Sequence, residues 1–282
     1  MQQDVELSNK FAKLMGSNAV KSEGRTGRVS REHSEEVEVG LPLWKRVLDV
    51  TAILLSLPVT LTVSIPLAVY IKLISPGPIF FRQERVGFRC RKFMLFKFRS
   101  MHCGADTAVH DKHLKQLMGA EKPMQKMDGT DPRVIPFGKW IRASGIDELP
   151  QLLNVLRGEM SLVGPRPCTT FEFENYETWQ KERFAAVPGL TGLWQVCGKN
   201  RTTFRQMVQM DIAYAKHKCL SLDLSIIVRT IPALVVQVLA ARAAASQARK
   251  NSNGVELKKA KSITENEDSA EGRSGRVRVL GA

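Results

Sequence analysis

Two adjacent carboxylates, Asp147 and Glu148, stand among three arginines, Arg142, Arg157 and Arg166, in the stretch from Trp140 to the rigid turn Gly164-Pro165-Arg166-Pro167. Carboxylates can attack phosphorus or hold a divalent cation, and guanidiniums neutralise phosphate oxygens, so this is a phosphate-chemistry composition. Leu149, Leu152, Leu153 and Leu156 recur at i, i+3, i+4 and i+7, which predicts a helix starting near Asp147, with a leucine core face and Pro150 in its first turn. The N-terminus of such a helix offers free N–H groups and partial positive charge, which keeps carboxylates ionised and attracts phosphate. An ionised Asp147 there is a competent nucleophile. The competing reading is stability alone, because Ser144-x-x-Asp147 is a capping pattern and acids are common in a first helical turn.

The elements that must position this stretch come from a chain of 282 residues, 43% hydrophobic, long enough for one main domain and unlike a wholly disordered protein. The net charge is +14, and residues 42–249 alone hold 29 basic and 16 acidic residues, a surplus of +13. A surplus confined to the folded part points to an anionic ligand or surface; nucleic acid and anionic lipid both qualify. Five cysteines without a CxxC pair or a secretory signal read as reduced thiols facing the cytosol. His110-x-x-His113 beside Cys103 reads as a solvated polar helix rather than a metal site, since no second Cys pair supports it.

Residues 1–41 are polar and lack hydrophobic periodicity, a disordered arm with no signal-peptide pattern. From Val50 to Ile71 no residue is charged, about 33 Å of helix and enough to cross a bilayer. Pro58 and Pro66 fall inside it and bend a helix. Both flanks are basic: Lys45 and Arg46 before, Lys72, Arg82 and Arg85 after, and basic flanks belong on the cytoplasmic side. These features favour a re-entrant helix over 42–75, entering one leaflet, breaking at one of the two prolines and returning. A spanning helix is the alternative, and a buried core helix the weakest reading.

Ser75-Pro76-Gly77-Pro78 turns the chain out of the membrane, and short strands follow over 79–83 and 93–99. Between Arg82 and Arg99 stand seven Lys/Arg and one acid, Glu84, a collar for headgroups and phosphate at the membrane edge, or a merely solvated basic face. Asn200-Arg201 lies in a polar loop before a helix ending near His217. Residues 222–249 predict an apolar helix broken at Pro232, its uncharged run of about 12 residues too short to span and suited to the core or the interface. Residues 250–282 read as a disordered tail. The fold class is α+β: a re-entrant membrane helix plus a mostly helical cytoplasmic catalytic domain with a few short strands over 76–249.

Seven motifs occur in order between residues 42 and 240: Lys45-Arg46-x-x-Asp49; Ser75-Pro-Gly-Pro-x-Phe-Phe-x-Gln-x-Arg-x-Gly87; Lys97-Phe-Arg-Ser-Met101; Asp147-Glu-Leu-Pro-Gln151; Asn154-Val-Leu-x-Gly-x-Met-Ser161; Val163-Gly-Pro-Arg-Pro167; and Pro188-Gly-Leu-Thr-Gly-Leu-Trp-Gln195. On these the chain resembles the bacterial sugar transferases, the monotopic phosphoglycosyl transferases that begin exopolysaccharide, capsule, O-antigen and glycoprotein-glycan assembly. The resemblance implies transfer of a sugar 1-phosphate from a UDP-sugar to undecaprenyl phosphate, with UMP released, at the cytoplasmic face of the bacterial inner membrane. It further implies Asp147 as nucleophile, Glu148 as a ligand of Mg²⁺, and Arg142 and Arg166 on the phosphates, with Lys97, Arg99 and Arg201 as further phosphate-binding candidates. Larger members carry an added N-terminal membrane domain, and this chain resembles the minimal form.

The alternative from another class is a membrane-tethered basic module that binds lipid or nucleic acid without catalysis. It would need base-stacking aromatics on a basic face and would have no use for Asp147-Glu148. The resemblance implies no nucleic acid, and oligomeric state is not legible.

Overall fold

The computed structural model of the chain describes residues 41–102, 108–119, 123–124, 133–198, 202–239 and 242–243. The stretches read as arm and tail, Asn200-Arg201, and the side chains of His110 and His113 lie outside the described residues. Packing divides the chain into residues 1–235 and 236–282, and almost everything described belongs to the first.

Helix α1 (Leu43–Ile74) runs for 32 residues, with Pro58 and Pro66 inside it. It starts after Pro42, whose missing N–H does no harm at a helix entrance. The helix is assigned as continuous past both prolines, where the sequence predicted a break. Its middle is apolar and exposed, with Leu54, Leu55, Val59 and Ile65 on the surface. Ser56, Thr60 and Thr62 each donate their hydroxyl to a carbonyl of the same helix, as polar groups in an apolar medium must. Burial is confined to the ends: Lys45, Asp49 and Ile53 at the start and Ile71 near the finish.

The start is tied down by polar contacts. Lys45 Nζ donates to Asp223 Oδ2 at 2.5 Å and to Tyr214 Oη at 3.0 Å. Asp49 Oδ1 accepts from Ser161 Oγ and from the Leu162 amide, each at 3.0 Å. At the far end Tyr70 Oη donates to Pro136 O at 2.9 Å, and Ile71 packs in one cluster with Phe98 and Ile135.

Strands β1 (Phe80–Val86) and β2 (Lys92–Phe98) form an antiparallel hairpin in the register Phe80↔Phe98 to Val86↔Lys92. Side chains alternate across a strand, so Gln83, Arg85, Leu95 and Lys97 share the inner face while Phe80, Arg82, Glu84 and Met94 face out. The short strand β4 (Cys168–Thr169) covers the free edge of β1, pairing Thr169 with Arg85. The parallel pair β3 (Ser161–Val163) and β5 (Gly189–Thr191) holds the Gly-Pro-Arg-Pro turn. There Gly164 and Gly189 have no substitute: a Cβ on Gly164 would lie 2.2 Å from Val187 O, and one on Gly189 2.1 Å from Gly164 N.

Helices α2 (Ala108–Gly119), α3 (Gly138–Ser144), α4 (Leu152–Leu156), α5 (Thr170–Glu174), α6 (Leu193–Gly198) and α7 (Phe204–His217) complete the domain with 3-10 turns at Ile146–Gln151 and Thr178–Ala185. Thr203 and Gln206 cap α7 reciprocally, and its Phe204, Met207, Val208 and Tyr214 centre the main core. The last described helix, α8 (Leu220–Leu239), corrects the prediction of a break at Pro232. Pro232 and its neighbours Ile231 and Val228 are exposed, so the bond that the ring removes is not needed for packing. The other side is held by Ile226 in the core and by a 2.8 Å contact between the Thr230 and Thr191 hydroxyls. At 20 residues α8, like α1, is long and apolar enough to cross a membrane by length and composition. The domain is therefore mostly helical with a few short strands and one long apolar helix near its N-terminus.

Candidate functional site

Asp147 and Glu148 do not open an α-helix. They lie in the 3-10 turn Ile146–Gln151, entered through Gly145 at φ 75°, and the α-helical part begins only at Leu152. The reason is Pro150, which has no N–H for a continuous α-helical ladder and fits a tight turn. This alters the phase of the leucine pattern. Leu149 and Leu152 pack against core clusters as predicted, but Leu153 and Leu156 are 47% and 40% exposed while Pro150, Gln151, Asn154 and Val155 are buried, so the predicted leucine face holds only in its first half. The residue at the N-cap position is Gly145, which has no side chain to cap the turn, and Ser144 donates its hydroxyl back to Ile141 O at 3.0 Å, while Asp147 and Glu148 do stand in the first turn. Tertiary contacts also place the acidic pair.

Asn154 supplies the main contact. Fully buried, it donates through Nδ2 to Met94 O at 2.7 Å and accepts at Oδ1 from the Phe96 amide at 3.2 Å. The side chain thus takes the place of a neighbouring strand along the open edge of β2. A second Nδ2 contact at 2.7 Å to Glu159 completes it. Asn154→Ala leaves those buried groups without partners and should lower stability by about 2–4 kcal/mol. Denaturant unfolding checks this, and a loss under 1 kcal/mol (of the order of a surface change) would show that the edge is held by something else.

Fixed in this way, Glu148 meets Lys97 on the inner face of β2, with Nζ–Oε1 at 3.0 Å and both side chains part-exposed. Asp147 beside it is 8% exposed. Arg142 is half-buried in the last turn of α3, the helix that leads into the 3-10 turn.

Arg166 donates through Nη1 to Glu172 Oε1 at 2.7 Å and is 27% exposed, while Glu172 is fully buried. Burial pushes the Glu172 carboxyl up, but the guanidiniums of Arg166 and Arg85 outweigh it and hold it below the ordinary range. Arg183 anchors the turn from behind, donating to Arg166 O at 2.6 Å and pairing with buried Asp211. Cys168 next to the turn is buried, which pushes its thiol up to about 12 and keeps it protonated.

Of the remaining sequence candidates, Arg99 is placed differently. It is 4% exposed and donates to Ser75 O at 2.6 Å and Pro76 O at 2.5 Å, so its guanidinium fastens the turn at the exit of α1. Arg201 lies outside the described residues. Arg157 stacks over Phe96 at 5.0 Å on the outer face of the hairpin. Sequence reasoning missed Arg85, Asn154, Glu172 and Arg183 as site-building residues. Arg85 and Asn154 stood inside motifs, but nothing local showed that they would turn inward.

The donor set suits Mg²⁺. Two adjacent carboxylates are what this cation takes from a protein when phosphate oxygens and water fill the other positions of its octahedron. Among the described residues no cluster of three or more His, Cys, Asp or Glu forms a self-sufficient metal cage.

An acidic pair beside Lys97, on a domain that carries a basic surplus and a long exposed apolar helix, defines a membrane-associated class of phosphate-handling protein. Residues 41–237 match the family described as bacterial sugar transferase, and the chain belongs to that family. It is 43% identical over 208 residues to the UDP-glucose:undecaprenyl-phosphate glucose-1-phosphate transferase of Caulobacter vibrioides, covering 70% of this chain and 72% of that protein. It is 41% identical over 194 residues to the galactosyl transferase CpsE of Streptococcus agalactiae, covering 68% of this chain and 42% of that one. A protein of Xanthomonas campestris pv. campestris with the same name as the Caulobacter relative is 38% identical over 235 residues, 80% of this chain and 44% of its own length. The matched part thus spans less than half of two of these three relatives.

Proposed function

We propose that this chain transfers a sugar 1-phosphate from a UDP-sugar to undecaprenyl phosphate at the cytoplasmic face of the bacterial inner membrane, initiating a surface polysaccharide or glycoconjugate. The observation that carries the reading is the Asp147-Glu148 pair, seated beside Asn154 and Lys97 in the 3-10 turn Ile146–Gln151. An Asp147 oxygen attacks the sugar-linked phosphorus, the bond from that phosphorus to the bridging oxygen breaks, and UMP leaves with the electron pair. A terminal oxygen of undecaprenyl phosphate then attacks the same phosphorus, and the bond to Asp147 breaks to restore the carboxylate. Arg142, Arg166 and Lys97 neutralise the phosphate oxygens through both steps, and Arg201 is retained as a further candidate. Glu148, oriented by Lys97, would hold Mg²⁺ together with the substrate phosphates. The cation would supply charge neutralisation at the diphosphate.

The test is UMP release from a panel of UDP-sugars with undecaprenyl phosphate. Release that requires both Mg²⁺ and the lipid phosphate is expected. No release with any donor, together with nucleic-acid or lipid binding that weakens steeply with salt, would favour the non-catalytic basic module instead.

The geometry of α1 supports the re-entrant reading. Ile53 shares an apolar cluster with Leu95, and Ile71 shares another with Phe98. Both ends of α1 therefore rest on the one domain, as expected of a helix that enters and leaves by the same face, and Pro58 and Pro66 are the residues that could bend it. Leu41→Cys and Lys72→Cys should each react with an impermeant thiol reagent only when the cytoplasmic side is open to it. Periplasmic labelling at position 41 would establish a spanning helix.

A further inference from the structure

The inner face of the hairpin carries a second guanidinium beside the Gly-Pro-Arg-Pro turn. Arg85 Nη1 donates to Pro167 O at 3.1 Å and lies 4.0 Å from Glu172 Oε2, the carboxylate whose other oxygen accepts from Arg166. One buried anion therefore bridges two cations. Glu172 is in turn fixed by the Thr169 amide, which donates to Oε2 at 2.6 Å, and its own amide is capped by Thr169 Oγ1 at 3.0 Å. The charges are layered. Glu172 and Asp211 are at most 1% exposed, whereas Arg85 and Arg166 reach 12% and 27%. With Arg183, three guanidiniums share two carboxylates, so the cluster keeps net positive charge, and Arg85 and Arg166 are less buried than its acids.

Two further observations give that charge a direction. Arg85 lies close enough to Glu148 to feel its charge, which places it toward the catalytic pair. Its Nε–H is buried without a partner, although a buried donor normally has one. Burial and the neighbouring Arg166 push its guanidinium down to about 10, so it remains charged at neutral pH. Glu172 joins the two guanidiniums on one side, and the positive charge that the cluster keeps is matched by a diphosphate, which offers each guanidinium a pair of oxygens in fork geometry.

We propose that Arg85 is a second diphosphate-contacting residue, forming with Arg166 a two-guanidinium clamp for the donor, and that Glu172 is the positioning residue that holds the pair together. The donor identity rests on the reading of the site as a sugar-phosphate transferase. The clamp itself does not, because any pyrophosphate group would fit it.

The experiment uses the full-length protein and inorganic pyrophosphate at fixed free Mg²⁺, with binding read from the concentration dependence of the thermal midpoint. Saturable stabilisation of the unmodified protein is expected. Arg85→Gln should weaken it about tenfold or more, Arg85→Lys by less, and Lys92→Ala on the outer face not at all. Midpoints without ligand show whether each variant is folded, and if Arg85→Gln is not, Arg85→Lys decides the matter. In turnover, Arg85→Lys should raise KM for the UDP-sugar several-fold and leave KM for undecaprenyl phosphate unchanged. Glu172→Asp should restore more pyrophosphate affinity than Glu172→Ala, whereas a merely structural Glu172 would shift the midpoint and leave affinity alone. Unchanged pyrophosphate affinity in a folded Arg85 variant, or no stabilisation of the unmodified protein, overturns the clamp. Pyrophosphate binding without any UMP release would instead overturn the assigned reaction and leave the clamp standing.

Discussion

Asp147→Asn should abolish transfer, lowering UMP release by about 10³-fold or more, the scale expected when a covalent nucleophile is lost. An amide has almost the same volume and shape as the carboxylate but no anionic oxygen to attack phosphorus. Asp147 is only 8% exposed, so any stability change comes from hydrogen bonding rather than from a cavity. The variant should still fold, insert and bind UDP-sugar. A radiolabelled donor separates the steps: with the sugar-phosphate labelled and no lipid present, the unmodified protein should acquire label on the chain and the Asn variant none. If the variant keeps more than a few per cent of the activity at neutral pH, with deamidation excluded by mass spectrometry, the covalent mechanism is wrong.

The second large effect concerns the joint between α1 and the domain. Lys45 and Asp223 are 2% and 0% exposed and pair at 2.5 Å, with Tyr214 Oη donating to Asp223 Oδ1 at 2.7 Å. A pair removed this completely from water contributes little net stability over an apolar replacement, because desolvation offsets the attraction. Removing one member is different, since it strands the other charge. Lys45→Met keeps the length of the side chain, leaves Asp223 buried without its cation, and should cost about 3–5 kcal/mol. That is a large fraction of the stability of an ordinary domain. Replacing both, as Lys45→Met with Asp223→Leu, should recover most of the loss. Thermal unfolding in a mild detergent and the yield of membrane-bound protein both report it. Equal stability of the single and double variants would mean that the contact is not the joint.

How far the chain was legible depended on the range of the interaction. The apolar run from Val50 to Ile71, the hairpin strands within three residues of the bounds of β1 and β2, and the Asp147-Glu148 pair were visible because hydrophobicity, strand propensity and motif spacing are local properties. Family membership was visible for the same reason, since seven short motifs keep their order.

What sequence could not supply was the direction of the side chains. The leucines at 149, 152, 153 and 156 satisfy a helical period, yet the period assumes an α-helix from the outset, and a proline-bearing 3-10 turn changes the phase by the time Leu153 and Leu156 are reached. Arg85, Arg99 and Arg166 look alike in a basic stretch. Tertiary structure sends Arg99 to backbone carbonyls at the exit of α1 and gathers the other two on Glu172. The sequence by itself thus determined an acidic pair and a basic surplus on a chain with one long apolar run near its start. Only the fold decided which cation meets which carboxylate, because a buried carboxylate such as Glu172 selects its partners by distance in space, and residues 85, 166 and 172 meet only when β4 closes against β1.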